Sequence, residues 1–487
     1  RVQDADGYIG PYGSANRYVG NDDRRAWDLW GHYHVMLGLL LWHEASGENQ
    51  PFDMCIRAAD GICSFFLDGD RSILEAEYSE MNTALIHLFG LLYRKIGNNR
   101  YLQMVRHIEH AWDDERGGGY VTAALAGQEF YQTRKPRWES LHPIQGILQL
   151  YLITGDARYE EAFKKLWHSM NTYDCHNTGG FSSGEQACGN PYDPGAIETC
   201  CTVAWSVLSV DMLKLTGDSI VADQLELALY NAVIAAQSPS GRWWTYNTPM
   251  DGVREASAHS IVFQALAGSP EINCCSVNGP RALALARDWA FMESGDAITM
   301  NYYGPGIFSI GTDTKIRILT KYPYKNKVKI LFDAPVKKTF NLRIPAWSRN
   351  TSIRINSEAI GPLEPGKYFR IDRSWDIGDV IDIVFDFSPR LLHGKMECEN
   401  KISIYRGPLL LAYDEIHNGK PISMAPAAIP ENIGFGAPIQ SQNSRYAKPG
   451  LLLPVDIGNG RMANLCDFAS AGISGSNYVT WMAISGH

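Results

Sequence analysis

No stretch of this 487-residue chain runs through about 18 uninterrupted apolar residues, so no segment reads as a membrane-spanning helix, and no basic-then-apolar leader opens it. Positive charge is also in short supply. Lys and Arg number 44 against 53 Asp and Glu, a formal charge of -9, which argues against nucleic acid or an anionic membrane as the main partner, because both call for clustered cations. Cysteine is sparse: ten in the chain are too few for a disulfide scaffold, and the adjacent pairs Cys200-Cys201 and Cys274-Cys275 are badly placed to bond within themselves. What is plentiful is apolar surface. With 45% hydrophobic and 11% aromatic residues the chain can bury a large core in two or three domains, enough for an enzyme with a neutral or small-molecule substrate.

The opening, Arg1 to Asn21, reads as a loop whose Tyr8, Tyr12 and Tyr18 are available to line a cleft. From Ala26 the pattern turns helical, with apolar positions from Trp27 through Leu41 recurring at three and four and a glycine stop at Ser46-Gly47. The same stop returns at Gly97-Asn98, Gly155-Asp156 and Gly217-Asp218, each between two amphipathic runs. Repeats of about sixty residues exceed the common solenoid periods, which favours a closed helical toroid with functional loops at one end, among them Gly117-Gly118-Gly119-Tyr120 and Gly179-Gly180-Phe181. After about Ser294 short alternating runs rich in β-branched residues take over: Ile307–Leu319, Val328–Phe332, Phe340–Ile344, Thr351–Ile355, Tyr368–Ile371, Val380–Phe387 and Ile402–Tyr413. The division expected is a helical catalytic domain over 1–294, a β-sandwich over 295–395 and a second β-rich segment over 396–487, with Pro421–Tyr446 irregular and Ser476–Trp481 returning a strand.

Three short pieces carry chemistry. Glu198 and Cys200 are two apart, so they share a side if the backbone there is extended just before a helix, with Thr199 able to cap it. Cys274-Cys275 stands in a similar position before a helix read over Arg281–Trp289. Three thiolates and one carboxylate would fill a tetrahedral zinc shell; buried free cysteines are the competing reading. Glu185 precedes Glu198 across a loop rich in Gly, Asn and Pro that can turn two carboxylates into one cleft, and an isolated surface Glu is the alternative. His32, His34, His142, His259 and His487 read either as sugar-binding or as satisfied interior histidines. Trp243-Trp244-Thr245-Tyr246 reads either as a flat wall for a sugar ring or as core. Cys55, Cys63, Cys175, Cys188, Cys398 and Cys466 have no useful spacing and read as small buried hydrophobes.

Taken together, Gly184-Glu185, Glu198-Thr199-Cys200, Leu215-Thr216-Gly217-Asp218 with Glu226–Asn231, and Cys274-Cys275-Ser276-Val277-Asn278-Gly279-Pro280-Arg281 resemble glycoside hydrolase family 127, the β-L-arabinofuranosidases. The likeness extends through Leu342–Trp347 and Tyr405–Leu409. It implies an (α/α)6 barrel followed by β-sandwiches, and a Zn2+ ion held by Glu198, Cys200, Cys274 and Cys275. It further implies Cys274 as nucleophile and Glu185 as acid/base of a retaining exo-glycosidase, with an oligosaccharide or small glycoside as partner. His34 lies where a substrate-binding histidine of the family is expected, Asn82 replaces another, and His142 fits a third only in a shifted register; Tyr246 completes the substrate-binding set. The loop between Glu185 and Glu198 is shorter than in the family, so a pocket changed for another pectic side-chain sugar, such as aceric acid in rhamnogalacturonan II, is one alternative, and a non-catalytic zinc-stabilised carbohydrate-binding protein is another. The resemblance also implies that an N-terminal portion of the helical domain precedes Arg1. Reduced cysteines point to a cytoplasm and polysaccharide breakdown to a bacterial periplasm, so compartment and oligomeric state stay open.

Overall fold

Each glycine stop in the sequence ends a helix. In the computed structural model, which describes residues 3–19, 27–75, 78–238, 241, 244–254, 273–310, 314–419, 429–430, 433–439, 450–457 and 461–485, the helices come first and the strands follow, the mainly α plus β class expected. Trp243, His259, His487 and most of Pro421–Tyr446 lie outside the described residues. The chain divides into two compact units, Arg1–Asp174 with Gln186–Gly189, and Cys175–Glu185 with Asn190–His487.

The first unit holds α1 (Asp28–Ser46), α2 (Asn49–Cys63), α3 (Ser79–Asn82), α4 (Leu85–Ile96), α5 (Asn99–Ala111), α6 (Tyr120–Leu125), α7 (Leu141–Thr154) and α8 (Ala157–Tyr173). Sequential neighbours α1 and α2, α4 and α5, and α7 and α8 pack as hairpins. Their tight joints have a local cause. Gly97 and Gly155 take left-handed φ of 71° and 70°, and their N–H groups return to the carbonyls of Tyr93 and Tyr151. The very next residues, Asn98 and Asp156, then cap the following helix by accepting from the N–H of Arg100 and Arg158. A residue with a Cβ is strained at such a φ, and Asn or Asp is the preferred N-cap, so two letters suffice to reverse the chain.

Two expectations for this unit are corrected. Tyr8 is buried, not cleft-lining, its hydroxyl donating to the Asp28 carboxylate at 3.0 Å; Tyr18, whose backbone N–H donates to the same carboxylate at 2.8 Å, does line a cavity, with Asp6, Arg17 and Phe65. Cys188 is exposed because it sits in a loop, whereas Cys55 and Cys63 are buried in α2 as small hydrophobes are; Cys175, of the other unit, is half-buried.

Asp174, at the end of α8, is a buried carboxylate that accepts from the Gly189 N–H at 2.8 Å. Burial pushes its pKa up to about 7. The unfolded chain releases this proton near the ordinary value while the folded one keeps it until about 7, so its ionisation removes up to roughly 1.4 kcal/mol of stability per pH unit between those limits. Asp174→Asn is therefore expected to melt at a higher temperature than the parent near neutral to mildly alkaline pH and to lose that advantage in mild acid. Thermal melts at the two ends check this, and an equal difference at both would refute it.

The second unit begins with α9 (Thr199–Thr216), α10 (Ser219–Ala228), α11 (Ile234–Ala236), α12 (Cys274–Ala284) and α13 (Ala286–Trp289). The run Ser219–Ala236 is long and apolar enough by composition to cross a membrane, but 72% of it is buried within the protein, as in a core helix. Strands follow: β1 (Phe291–Ser294), β2 (Ala297–Met300), β3 (Gly306–Ile310), β4 (Thr314–Thr320), β5 (Lys327–Phe332), β6 (Thr339–Ile344), β7 (Ser352–Ile355), β8 (Glu358–Ile360), β9 (Lys367–Ile371), β10 (Val380–Val384) and β11 (Arg390–His393). After these come β12 (Lys401–Arg406), β13 (Leu409–Asp414), α14 (Glu415–Asn418), β14 (Ile429–Pro430), β15 (Leu452–Asp456), β16 (Met462–Asp467), β17 (Tyr478–Val479) and β18 (Met482–Ser485).

The sheets run β1-β2-β6-β9, β3-β4-β5-β10-β7-β8, and β14-β18-β12-β13-β16-β15, with β11 on β12 and β17 on β13. Alternation explains their faces: in β5, Val328, Ile330 and Phe332 are buried while Lys327 and Lys329 are exposed. Ile298 and Leu342 from the first sheet, Ile330 and Ile383 from the second, and Ile404 and Leu411 from the third share one core. The run read as one strand over Ile307–Leu319 is a hairpin of β3 and β4, and Ser476–Trp481 does return a strand, β17.

The remaining motifs join elements of this unit. Fully buried Arg343, from Leu342–Trp347, pairs with Asp223 and, at 2.6 Å, with Glu226, whose other oxygen accepts from the Trp347 indole at 3.1 Å. Asn231 donates to the Pro408 carbonyl and accepts from the Leu410 N–H, tying α10's continuation to the Tyr405–Leu409 turn.

Candidate functional site

Two helix N-termini, those of α9 and α12, bring the cysteines together. Glu198 is the extended N-cap of α9 (φ -76°, ψ 139°) and Cys200 lies in its first turn; Cys274 and Cys275 are the first two residues of α12, behind Asn273, whose side chain caps the helix by accepting from the Ser276 N–H at 2.8 Å. This corrects the expectation that the cysteines precede their helices. The Asn273 cap starts α12 seven residues before Arg281, and Thr199, expected to cap α9, instead donates its hydroxyl to the Thr245 carbonyl at 2.8 Å. Close approach of the segment before the cysteines is secured at Gly279, where an added Cβ would stand 2.1 Å from the ring of buried Trp244. Trp244 is thus core.

One donor atom each from Glu198, Cys200, Cys274 and Cys275 lies within 4.8 Å of all the others. The Sγ atoms of Cys200 and Cys275 are 3.5 Å apart, those of Cys274 and Cys275 3.9 Å, and both Cys274 and Cys275 stand 3.6 Å from Glu198 Oε1. Glu198, Cys200 and Cys275 are buried; Cys274 is exposed. Hydrogen bonds from the Cys200 and Cys275 thiols draw the Cys274 pKa down to about 3, while burial pushes those two thiols well up. Two facing helix N-termini also favour negative sulfur there.

Around these four stand two residues to which the sequence reading assigned no role. Asn278, one helical turn after Cys274, donates to Cys200 Sγ at 3.2 Å, and the Cys201 thiol donates to Glu198 Oε2 at 3.6 Å. Both hold ligand atoms by hydrogen bonds, as the outer partners of metal ligands do. The helical spacing of Asn278 within Cys-Cys-x-x-Asn was the available signal.

A strand-like pairing sets Tyr246 beside Glu198. Thr199 N–H donates to the Tyr246 carbonyl at 2.9 Å, Thr248 N–H to Ile197 O at 3.0 Å, and the Ile197 N–H to Asn247 Oδ1 at 2.7 Å. The Tyr246 hydroxyl then donates to Glu185 Oε1 at 2.8 Å. Burial, chiefly, and the negative charges of Glu198, Glu185 and Cys274 keep that phenol protonated. Glu185 itself is half-buried at a left-handed φ of 68°, and Ser182 has a φ of 67°. Non-glycine residues at such angles cost about 1–3 kcal/mol each and persist only where their surroundings hold them. The holder is His176, a buried imidazole placed 2.9 Å from both the Ser182 and Pro191 carbonyls, together with the Gly184 N–H bond to Ala196 O.

The residues expected to bind sugar in the helical unit cluster in part. His34 and His142 come together, ring centroids 5.4 Å apart, with Trp30 edge-on to His34 at 4.3 Å and the Tyr33 hydroxyl 3.0 Å from His142 Nδ1 and 2.9 Å from His87 Nδ1. Asn82, in α3, is fully buried. His32, by contrast, is a satisfied interior histidine, bonded to the Ile9 N–H and the Asp28 carbonyl. Trp30, Tyr33 and His87, which surround these two histidines, carried no signal in the sequence, because an aromatic on a buried helix face reads as core.

The profile described as β-L-arabinofuranosidase, GH127 catalytic domain, matches residues 1–288, and the GH127 middle-domain profile matches 297–387. A curated relative, the non-reducing end β-L-arabinofuranosidase of Bifidobacterium longum subsp. longum, is 22% identical over 473 residues, covering 86% of this chain and 70% of its own. Among solved structures, a GH127 β-arabinofuranosidase aligns with a TM-score of 0.80 at 19% identity, over 99% of this chain and 82% of the other. A GH127 β-L-arabinofuranosidase from Geobacillus stearothermophilus T6 aligns at 0.79 and 19%, over 99% and 84%. At these identities the structural likeness establishes the fold.

Proposed function

The chain belongs to glycoside hydrolase family 127, and from that premise we propose that this glycoside hydrolase is a retaining exo-glycosidase that releases a β-L-arabinofuranosyl unit, with Cys274 as nucleophile and Glu185 as acid/base. The observation that carries the reading is exposure: of the four residues whose donor atoms converge, only Cys274 is exposed. Three sulfurs and a carboxylate suit zinc, so Glu198, Cys200, Cys274 and Cys275 would hold it. When bound, the ion would keep the cysteines as thiolates at pH values where free thiols are protonated.

Cys274 attacks the anomeric carbon as Glu185 protonates the departing oxygen, giving a thioglycosyl enzyme. Glu185 then removes a proton from water, which displaces the thiolate; two inversions leave the configuration retained. Tyr246 orients the Glu185 carboxylate by donating to its Oε1. His34, Asn82 and His142 are proposed to bind the sugar. We also keep, as part of this reading, the division into a catalytic domain to 294, a sandwich to 395 and a further β-rich segment.

The deciding experiment is sugar release from arabinan and pectic oligosaccharides, with zinc counted per chain. Binding without release from any of them would sink the enzyme mechanism in favour of a zinc-stabilised binding protein, and release of a different pectic sugar would correct the substrate. Positioning by His176 is separable from chemistry. His176→Ala should lower kcat by about tenfold to a hundredfold, with zinc content unchanged, because the Glu185 loop loses the bridge between Ser182 and Pro191. An unaltered kcat would show that the strained loop holds itself.

A further inference from the structure

We propose that Asp414, His417 and Cys466 form a second divalent-cation site, suited to zinc, in the third sheet and independent of the cysteine cluster. One donor atom from each lies within 4.8 Å of the other two. The topology brings them together. In the β13–β16 ladder Ala412 faces Cys466, and Asp414, two residues on, shares their face. α14 then folds back at once, with Asp414 as its N-cap, and carries His417 over the same spot.

Asp414 and Cys466 are buried, His417 half-buried. The Asp414 carboxylate accepts from the Ile416 N–H at 3.0 Å on one oxygen and the Gly472 N–H at 2.8 Å on the other, which leaves each oxygen a lone pair. Among the described residues no Lys or Arg makes an ion pair with it. A buried carboxylate without a cationic partner is costly, and a bound cation removes that cost. Among the described residues, the thiol of Cys466 makes one hydrogen bond, to the Ala412 carbonyl at 3.6 Å. Carboxylate, imidazole and thiolate together select zinc over magnesium or calcium, which prefer oxygen alone, and three protein ligands leave a fourth position for water. Cys466, read from the sequence as a small buried hydrophobe, thereby gains a role.

The test is zinc per chain in the whole protein, stripped with a chelator, reloaded with zinc and desalted. The wild type, His417→Gln, Cys200→Ser/Cys275→Ser and the combination of all three changes are compared. The second site predicts that His417→Gln lowers the wild-type count by one. It also predicts that the double cysteine variant keeps one zinc, which His417→Gln then removes. A count that His417→Gln leaves unchanged in the wild-type background overturns the proposal, as does a folded double cysteine variant with no zinc; either makes the triad a polar contact within the sheet. Zinc lost only on changing His417 would instead uphold this site and overturn the zinc reading of the cysteine cluster, so the two fail separately.

Discussion

Cys274→Ser is expected to lower kcat by about a thousandfold or more on any substrate the wild type cleaves, the range reached when a covalent nucleophile is removed. A serine hydroxyl at this position ionises far less readily than a thiol, whereas the helix N-termini around Cys274 favour negative sulfur. The fold should survive. Cys274 is exposed, and three other donors remain within reach of one ion, so zinc should stay bound, though less tightly, and the melting temperature should change little. Cys275→Ser makes the informative contrast. That sulfur is fully buried between Cys200 and Glu198, so its loss should reduce both zinc content and melting temperature. Steady-state kinetics, zinc analysis and thermal melts of the two variants separate attacker from holder. Wild-type turnover by Cys274→Ser would end the thiolate mechanism.

Glu185→Gln carries the second large effect, a fall in kcat of about a hundredfold to ten-thousandfold on a natural glycoside. The size should depend on the leaving group. A good aryl leaving group needs no proton, so thioglycosyl formation is spared and the slow step becomes attack by water. Azide needs no base and should rescue that step, yielding a glycosyl azide of retained configuration. An amide at 185 still accepts from Tyr246, so the loop geometry and melting temperature should hold. A rate loss equal for good and poor leaving groups, without azide rescue, would remove Glu185 from the proton-carrying role and leave it as a structural residue of the strained loop.

Much of the architecture was legible because its causes are local. Gly97-Asn98 and Gly155-Asp156 end one helix and cap the next through atoms within four residues, so the hairpins could be read in order. The alternation in β5 exposes its face in the same way. The start of α12 was misplaced because Asn273, one polar residue, outweighed the stronger pattern around Arg281. Tyr8 was taken for a cleft residue because a tyrosine-rich loop looks the same in sequence whether or not a buried Asp28 waits for its hydroxyl.

At the site, the donor residues, their order and the family whose profile spans 1–288 can be read from the chain. Their exposure and their contacts come from packing. Cys274 and Cys275 are neighbours in the chain and chemically identical, yet one is exposed and one buried, because consecutive positions in a helical turn point about 100° apart and packing covers one direction more than the other. The hydrogen bond from Tyr246 to Glu185 spans 61 residues and depends on the pairing that fixes Tyr246 beside Glu198. Asp414, His417 and Cys466 likewise meet only across a ladder register. Exposure and long-range contact are set by which surfaces pack together, and no local pattern of residues encodes that.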